Sequence, residues 1–175
     1  DRLNRDTVLL YAADSGYTRS IEPEFRNQYE DRLGGEVVGR VDLSNEDWKE
    51  TSQRALEGEA PEAVYIMGFA EEIMEVVRHL GQVGYDGRIL TTSAFYSADV
   101  IQQGGELVEG ILFPLPPFDR TSEKDPVLTF VQRYNETYAR APDIYAAHGY
   151  DAMRLVIKVL SMAKPPQTSE IQRAL

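Results

Sequence analysis

Aromatic rings beside small hydroxyl residues are the side chains in this sequence best suited to chemistry. They occur in three short stretches, each directly after an apolar run typical of a buried strand. The stretches contain seven candidate residues: Ser15, Tyr17 and Thr18, then Phe69, then Ser93, Ala94 and Phe95. Rings supply apolar contact area and hydroxyls supply a few directed hydrogen bonds, which is the usual lining of a small-molecule pocket. The stretches therefore predict a ligand-binding site, with plugging of the sheet end by Phe69 and Phe95 as the alternative.

Catalytic chemistry is not indicated by the residues around this predicted site. The turn at residues 14–18 contains one glycine, whereas a phosphate-binding turn uses several so that backbone N–H groups can close on the anion. Ser93 lacks the flanking glycines of a nucleophile elbow. The two histidines, His79 and His148, are far apart in the sequence, and His79 is interpreted as a surface imidazole near the end of a helix. We expect no catalytic residue, no metal site and no cofactor.

Composition narrows the choice of partners further. The 175 residues include 29 acidic and 18 basic side chains, which gives a formal net charge of −11. Such a charge repels a nucleic-acid backbone, so no nucleic-acid partner is expected. The chain has no cysteine, which excludes disulfides, thiolate metal ligands and cysteine nucleophiles. Its longest apolar run is far shorter than the ~20 residues that a membrane-spanning helix needs, and any export signal is expected to lie outside the chain.

The alternation of strand and helix patterns predicts the fold. Apolar runs predict five strands, at residues 7–13, 36–41, 63–67, 88–92 and 110–113. Apolar residues at helical spacing predict helices at residues 21–33, 45–56 and 71–83. Short connections between alternating strands and helices require right-handed crossovers. We therefore predict an α/β fold with a doubly wound, mostly parallel five-stranded sheet in flavodoxin-like order, in which the third strand lies beside the first.

A change of character near Pro114–Pro117 predicts a second region. Beyond it only helices are indicated, at residues 126–138 and 144–163 and from about residue 168. Their apolar stripes need a surface to pack on, and the five predicted strands already have helices for both faces. The predicted division is an α/β ligand-binding domain at residues 1–117 followed by a helical tail at residues 118–175.

The chain resembles a known family at these same residues. The resemblance rests on six segments in a fixed order: Asp14–Tyr17, Phe25 with Gly34–Gly35, Ala63–Phe69, Gly81–Gly84, Gly104–Ile111 and Tyr145–Ala152. They are similar to lobe two of type I periplasmic solute-binding proteins, in particular the branched-chain amino-acid (Leu/Ile/Val) binding family of ABC transporters. Proteins of this family have two α/β lobes that close on a ligand without catalysis, so the resemblance implies a solute-binding fragment and not an enzyme.

The resemblance also implies roles for particular residues. The family's lobe two places an aromatic ring after the first strand and another after the third, and these positions correspond to Tyr17 and Phe69. Amino-acid-binding members carry an acidic residue after the fourth strand; that position falls on or beside Ser93, where no acidic residue stands. An aromatic or other carboxylate, an amide or a neutral compound is therefore implied at least as strongly as an amino-acid-like solute. The implied partner is the membrane permease of an ABC transporter.

The family pattern also accounts for the tail. After the fifth strand the family's chain crosses a hinge, here near residues 114–119, and its next helices pack in lobe one, which this chain lacks. The resemblance thus implies that residues 125–175 expose apolar surface, which a homodimer formed through the tail helices, or an unusual packing on lobe two, would cover. It implies a periplasmic location, or an extracellular one with a membrane anchor. The alternative on the same fold is a ligand-sensing or protein-interaction regulatory module of the bacterial envelope.

Overall fold

A parallel four-stranded sheet is the centre of the computed structural model, which describes residues 7–162. Its strands are β1 (Thr7–Ala12), β2 (Glu36–Asp42), β3 (Ala63–Met67) and β4 (Arg88–Thr91), in the order β2-β1-β3-β4. β1 and β3 pair without a break, from Val8 opposite Ala63 to Ala12 opposite Met67. The predicted flavodoxin-like order, with the third strand beside the first, is confirmed.

The predicted fifth strand is reduced to a single point of pairing. Leu112 forms an isolated parallel bridge opposite Leu90, and its carbonyl accepts a hydrogen bond from the Thr91 N–H at 2.9 Å. Gly110, with φ of +80°, precedes the bridge, and Pro114 follows it. A left-handed residue on one side and a residue without an N–H on the other leave room for only a short extended segment. The sheet therefore has four strands and a bridge at the β4 edge, rather than five strands.

Helices connect the strands and continue beyond them. They are α1 (Gly16–Arg26), which continues as a π-helical turn at Asn27–Arg32, α2 (Trp48–Leu56), α3 (Ala70–Gln82), α4 (Ala98–Gly104), α5 (Asp125–Tyr138) and α6 (Ile144–Met162). α1 begins at Gly16 rather than at Ile21, because the turn after β1 is itself the helix cap. α4 is absent from the prediction, since its seven residues are too few to carry a clear helical period.

The interior of the sheet region lies on both faces of the sheet. Alternate residues of β1 point to opposite faces, so Leu9 and Tyr11 join one buried cluster while Val8, Leu10 and Ala12 join the other. α2 and α3 pack on the first cluster, and α1 with its π-helical turn packs on the second. β1 is thus buried on both faces, as its uninterrupted apolar run predicts.

Three polar side chains meet inside the first of these clusters. The Tyr11 and Ser52 hydroxyl oxygens are 2.7 Å apart, and His79 Nε2 lies 3.0 Å from the Ser52 oxygen. Burial raises the pKa of Tyr11 to about 12. Burial, with a smaller contribution from the charge of Lys49, lowers the pKa of His79. The interpretation of His79 as a surface imidazole is therefore wrong. His79 lies on the buried face of α3, and its ring centroid is 5.1 Å from that of Trp48.

The chain divides into two compact units, residues 1–115 (the first unit) and residues 116–175 (the second unit). In the described part of the second unit, α5 and α6 meet through Phe130 and Tyr150, whose ring centroids are 4.6 Å apart. The helix predicted from about residue 168 lies outside the described residues. None of the helices in residues 7–162 is both long enough and apolar enough to cross a membrane.

α6 leaves a large part of its apolar surface exposed. The exposed side chains are Met153, Leu155, Val156, Ile157 and Leu160. A cavity of about 280 Å³ opens beside α6, lined by rings that include Tyr134, Tyr138 and Tyr150. Apolar surface of this extent on a helix is typical of a face that packs against another part of a protein.

Candidate functional site

Two of the three candidate stretches meet at the carboxyl edge of the sheet. β1 and β3 are neighbours, so the turns that follow them begin side by side. The rings of Tyr17 and Phe69 stack there, with centroids 5.2 Å apart and planes 23° from parallel. Phe69 is nevertheless 57% exposed. The pair therefore presents an aromatic surface to solvent at the edge where doubly wound folds bind their ligands.

Ser15 and Thr18 hold the turn that carries Tyr17. The Ser15 hydroxyl accepts from the Thr18 N–H at 3.2 Å, and the Thr18 hydroxyl accepts from the Ser15 N–H at 3.2 Å, a reciprocal capping box at the start of α1. The Thr18 hydroxyl also donates to the Ala13 carbonyl, and Thr18 is 2% exposed. Thr18 is thus occupied within the turn, and its direct contact with a ligand stays a prediction.

Glu72 holds the turn that carries Phe69. Its Oε2 accepts a hydrogen bond from the Phe69 N–H at 2.8 Å, while the Phe69 carbonyl accepts from the Ile73 N–H at 2.9 Å. A side chain at Gly68 would conflict with this arrangement, because a Cβ there would lie 2.8 Å from Glu72 Oε2. Sequence reasoning missed this role of Glu72, since phenylalanine has no hydroxyl and the usual Ser/Thr-x-x-Glu signature is absent. The remaining signal is a glycine followed four residues later by glutamate where a strand passes into a helix.

The third stretch divides between the site edge and the core. Ser93 and Ala94 are half-buried in a 3-10 turn that follows β4. Phe95, in the same turn, is 1% exposed and packs edge-on against Phe113, with centroids 5.3 Å apart. Plugging of the sheet end, the alternative considered for both rings, describes the packing of Phe95. Phe69, by contrast, stands open to solvent.

Charged groups toward this edge are paired with one another. Arg40, on β2, contacts the carboxylates of Asp42 at 2.9 Å and Glu22 at 3.0 Å. The hydrogen bond from Arg40 lowers the pKa of Asp42. Asp14 pairs with Arg19 at 3.3 Å on the surface. Within residues 7–162, no group of three or more histidine and acidic side chains is arranged to hold a metal ion. The arrangement is suited to binding a solute through apolar contact and a few hydrogen bonds.

Comparison with known proteins agrees with this geometry. A family model described as periplasmic binding protein matches residues 2–175. The chain belongs to the periplasmic binding protein family. The resemblance inferred from the six sequence segments is confirmed, and the α/β architecture with its parallel sheet is that of this family. No curated protein sequence matches the chain.

Solved periplasmic binding proteins share the fold. A leucine-binding protein, LivK of Thermotoga maritima, is similar with a TM-score of 0.82 and 26% identity, over 96% of this chain and 48% of that one. LivJ of Streptococcus pneumoniae, in complex with isoleucine, has a TM-score of 0.74 and 24% identity, over 99% of this chain and 49% of that one. A solute-binding protein of an ABC transporter from Rhodopseudomonas palustris, in complex with 3,4-dihydroxybenzoic acid, has a TM-score of 0.70 and 19% identity, over 96% and 47%.

The chain spans about half the length of each of these relatives. The family and LivK are described as binding proteins, in agreement with the predicted non-catalytic role. The two similarities below 25% identity establish the shared fold alone.

Proposed function

We propose that this chain is part of an extracytoplasmic solute-binding protein that captures a small organic solute and delivers it to the permease of an ABC transporter. The observation that carries the proposal is the Tyr17–Phe69 stack. Its rings come from the carboxyl ends of adjacent parallel strands, and Phe69 is exposed where a solute would arrive. Because the Phe69 ring is mostly exposed, it contributes little to the core of the sheet region. The stacked pair suits contact with an apolar part of a solute.

The solute class that fits this surface is an amino-acid-like or an aromatic or other carboxylate compound. Tyr17 and Phe69 would contact its apolar part, while Ser93, Ala94 and Ser15 border the same edge. Relatives support both classes, since one is a leucine-binding protein and another is in complex with 3,4-dihydroxybenzoic acid. The absence of an acidic side chain at Ser93 and its neighbours weakens the case for a ligand ammonium group at that position.

Residues 118–175 belong, in this proposal, to the other lobe of the complete protein. The chain spans about half of its solved relatives, and α6 exposes the apolar side chains Met153 and Ile157. The sheet of the other lobe would cover this face, as helices of doubly wound folds cover their sheets. Homodimerisation through the same face is the competing way to cover it.

A regulatory or protein-interaction module of the bacterial envelope is the second candidate. The observation that favours it is Phe95, whose ring is 1% exposed and packs against Phe113, so that it presents almost no surface to a solute. In that case Tyr17 and Phe69 would contact a protein partner and no small molecule.

A thermal-shift screen of the complete two-lobe protein tests the proposal. The panel comprises L-leucine, L-isoleucine, L-phenylalanine, benzoate and 3,4-dihydroxybenzoate. A solute at a hundred times its Kd raises the free energy of unfolding by about 2.7 kcal/mol, which is a clear rise in Tm. We expect Tyr17→Ala and Phe69→Ala each to weaken binding and so to reduce the shift strongly, while binding stays measurable at higher solute concentration. Leu33→Ala, which removes an exposed apolar side chain of the first unit, is the matched control and retains it. The absence of any shift across the panel would favour the interaction module.

A further inference from the structure

We propose that Glu72 is a positioning residue of the solute site, whose carboxylate holds the backbone of Phe69 so that its ring stays stacked on Tyr17. This inference rests on the proposed function for its consequence, solute affinity, but its structural part stands without a solute. Glu72 itself does not contact the solute; it affects solute binding by holding Phe69 in position.

The backbone of Phe69 is held on both sides. Its N–H donates to Glu72 Oε2 at 2.8 Å, and its carbonyl accepts from the Ile73 N–H at 2.9 Å. The residue is extended, with φ of −91° and ψ of 168°, and α3 begins directly after it. These two bonds hold the backbone of Phe69 and with it the direction of its Cα–Cβ bond, from which the ring extends to Tyr17.

Gly68 shows that the space is reserved for the Glu72 carboxylate. A Cβ at Gly68 would stand 2.8 Å from Glu72 Oε2 and 3.2 Å from Glu72 Cβ. All three of the heavy atoms nearest to that Cβ belong to Glu72. The glycine therefore permits the back-bonded carboxylate, and an alanine at this position would displace it.

The neighbouring turn uses the same device for Tyr17. Thr18, at the third position of α1, bonds back to the Ser15 N–H at 3.2 Å, as Glu72 at the third position of α3 bonds back to Phe69. Both rings of the stack thus leave turns that are closed by a side chain of the following helix. Since Phe69 is mostly exposed, its ring has few other contacts to hold it. A ring that is held in place before binding loses less conformational freedom when a solute arrives, which increases affinity.

The chain offers a matched set of variants for this test. Glu72→Ala removes the acceptor, whereas Glu72→Gln keeps an oxygen acceptor and removes the charge. Glu71→Ala removes the same charge from the exposed adjacent position of the same helical turn. Gly68→Ala keeps the glutamate but occupies the space of its carboxylate. A positioning role predicts that Glu72→Ala and Gly68→Ala behave alike, and that Glu72→Gln and Glu71→Ala behave like the parent chain.

The first measurement needs no solute. The complete protein is labelled with 4-fluorophenylalanine, and the ¹⁹F resonance of Phe69 is assigned by its loss in Phe69→Leu. Tyr17→Leu gives the resonance position of a Phe69 ring that has lost its stacking partner. We expect Glu72→Ala and Gly68→Ala to move the Phe69 resonance toward that position, and Glu72→Gln and Glu71→Ala to leave it in place. An unmoved Phe69 resonance in folded Glu72→Ala would overturn the proposal.

The second measurement tests whether the position of the Phe69 ring affects the affinity for a solute. Calorimetric titration with L-isoleucine and with 3,4-dihydroxybenzoate compares Glu72→Ala in the parent chain and in Phe69→Ala. We expect about three- to tenfold weaker binding in the parent chain and no further loss in Phe69→Ala, because the effect passes through the ring. Equal losses in both backgrounds would mean a general structural role and would overturn the positioning role. If neither probe binds the parent protein, the proposed function fails for these solutes while the ¹⁹F result still decides the role of Glu72.

Discussion

In the first unit, Leu10, Tyr11 and Ile66 are shielded from solvent by helices on both faces of a sheet, whereas in the second unit α6 leaves Met153 and Ile157 exposed. The two units also differ in charge. Residues 1–115 hold 22 of the 29 acidic and 10 of the 18 basic side chains, a net charge of −12, and residues 116–175 have a net charge of +1. The anionic character of the whole chain is thus a property of the first unit.

A helix in a folded protein needs a surface on which its apolar face can pack. α3 and α6 are both amphipathic, and most helical stability in proteins comes from packing the apolar face. α3 packs Ile73 and Val76 into the cluster under the sheet. α6 has no strand of its own unit to pack on among the described residues. The first unit therefore buries the apolar face of α3 against its own sheet, whereas the described part of the second unit leaves much of the apolar surface of α6 exposed.

The largest expected effect separates the two units directly. Ile66→Ala removes a side chain that is 0% exposed, and Ile157→Ala makes the same change at one that is 59% exposed. We expect the free energy of unfolding to fall by about 2–5 kcal/mol for Ile66→Ala and by less than ~0.5 kcal/mol for Ile157→Ala. Urea titrations followed by far-UV circular dichroism, and by the fluorescence of Trp48 in the first unit, measure both changes. Equal losses of unfolding free energy in the two variants would contradict the difference in burial between Ile66 and Ile157.

The same variant tests the assignment of the tail to the other lobe. In the complete two-lobe protein, the cost of Ile157→Ala rises to the range of a core substitution if a sheet covers α6. A cost that stays near zero in the complete protein would refute that assignment. Light scattering of residues 1–175 then shows whether a dimer covers the face instead.

A second prediction concerns the buried His79 of the first unit. Because folding lowers the pKa of His79 below its ordinary 6.5, the unfolded chain binds the proton more readily than the folded protein. The free energy of unfolding is thus expected to fall as the pH decreases below about 6.5, by at most about 1.4 kcal/mol per pH unit, until the folded pKa is passed. The charge that His79 would acquire meets Ser52, Trp48 and the cation of Lys49.

Urea titrations between pH 7.5 and pH 4.5 measure this slope. His79→Gln is expected to reduce it, because the titrating imidazole is removed. A slope that is identical in both proteins would show that other groups, such as Asp42, carry the pH dependence.

The smallest effect concerns how the helices of the two units end. α3 is followed by Gly84 with φ of +72°, whereas α5 ends at Ala139, which has φ of +52°. This left-handed region costs a residue with a Cβ about 1 kcal/mol relative to glycine. We expect Gly84→Ala to lower the free energy of unfolding by about 1 kcal/mol and Ala139→Gly to raise the stability of the second unit by a similar amount. Thermal melts that show the same sign for both substitutions would contradict this.

Sequence patterns predicted the strands at the centre of the sheet better than the ends of the neighbouring elements. β3 lies at the predicted residues 63–67. A short continuous apolar run with β-branched residues is typical of a strand that is buried on both faces of a parallel sheet. The start of α1 was missed, since its cap is formed by Ser15 and Thr18 before the apolar stripe begins. The fifth strand was overestimated at residues 110–113, where local glycine and proline limit pairing to Leu112.

The candidate site shows the same division. The two rings after β1 and β3 were predicted to share an edge, and strand order alone brings Tyr17 and Phe69 together. Ser15, Thr18 and Phe95 were predicted as further lining residues, and their contact with a ligand stays a prediction. In the structure, Thr18 is enclosed by its turn and Phe95 by the core, whereas Ser15 is half-buried. Which side of a turn a hydroxyl faces depends on hydrogen bonds that a linear pattern does not display.

By itself, the sequence determined the α/β class, the strand order and the family, because alternating apolar periods and motif order are properties of the linear chain. Only the tertiary structure decided that His79 is buried against Ser52, that Phe95 is enclosed while Phe69 is exposed, and that Glu72 closes the turn under Phe69. These outcomes depend on contacts between residues, and on solvent access that is set only when separate elements pack together. Burial and hydrogen-bond partners are properties of that packing, so they are not encoded by residue type at a single position.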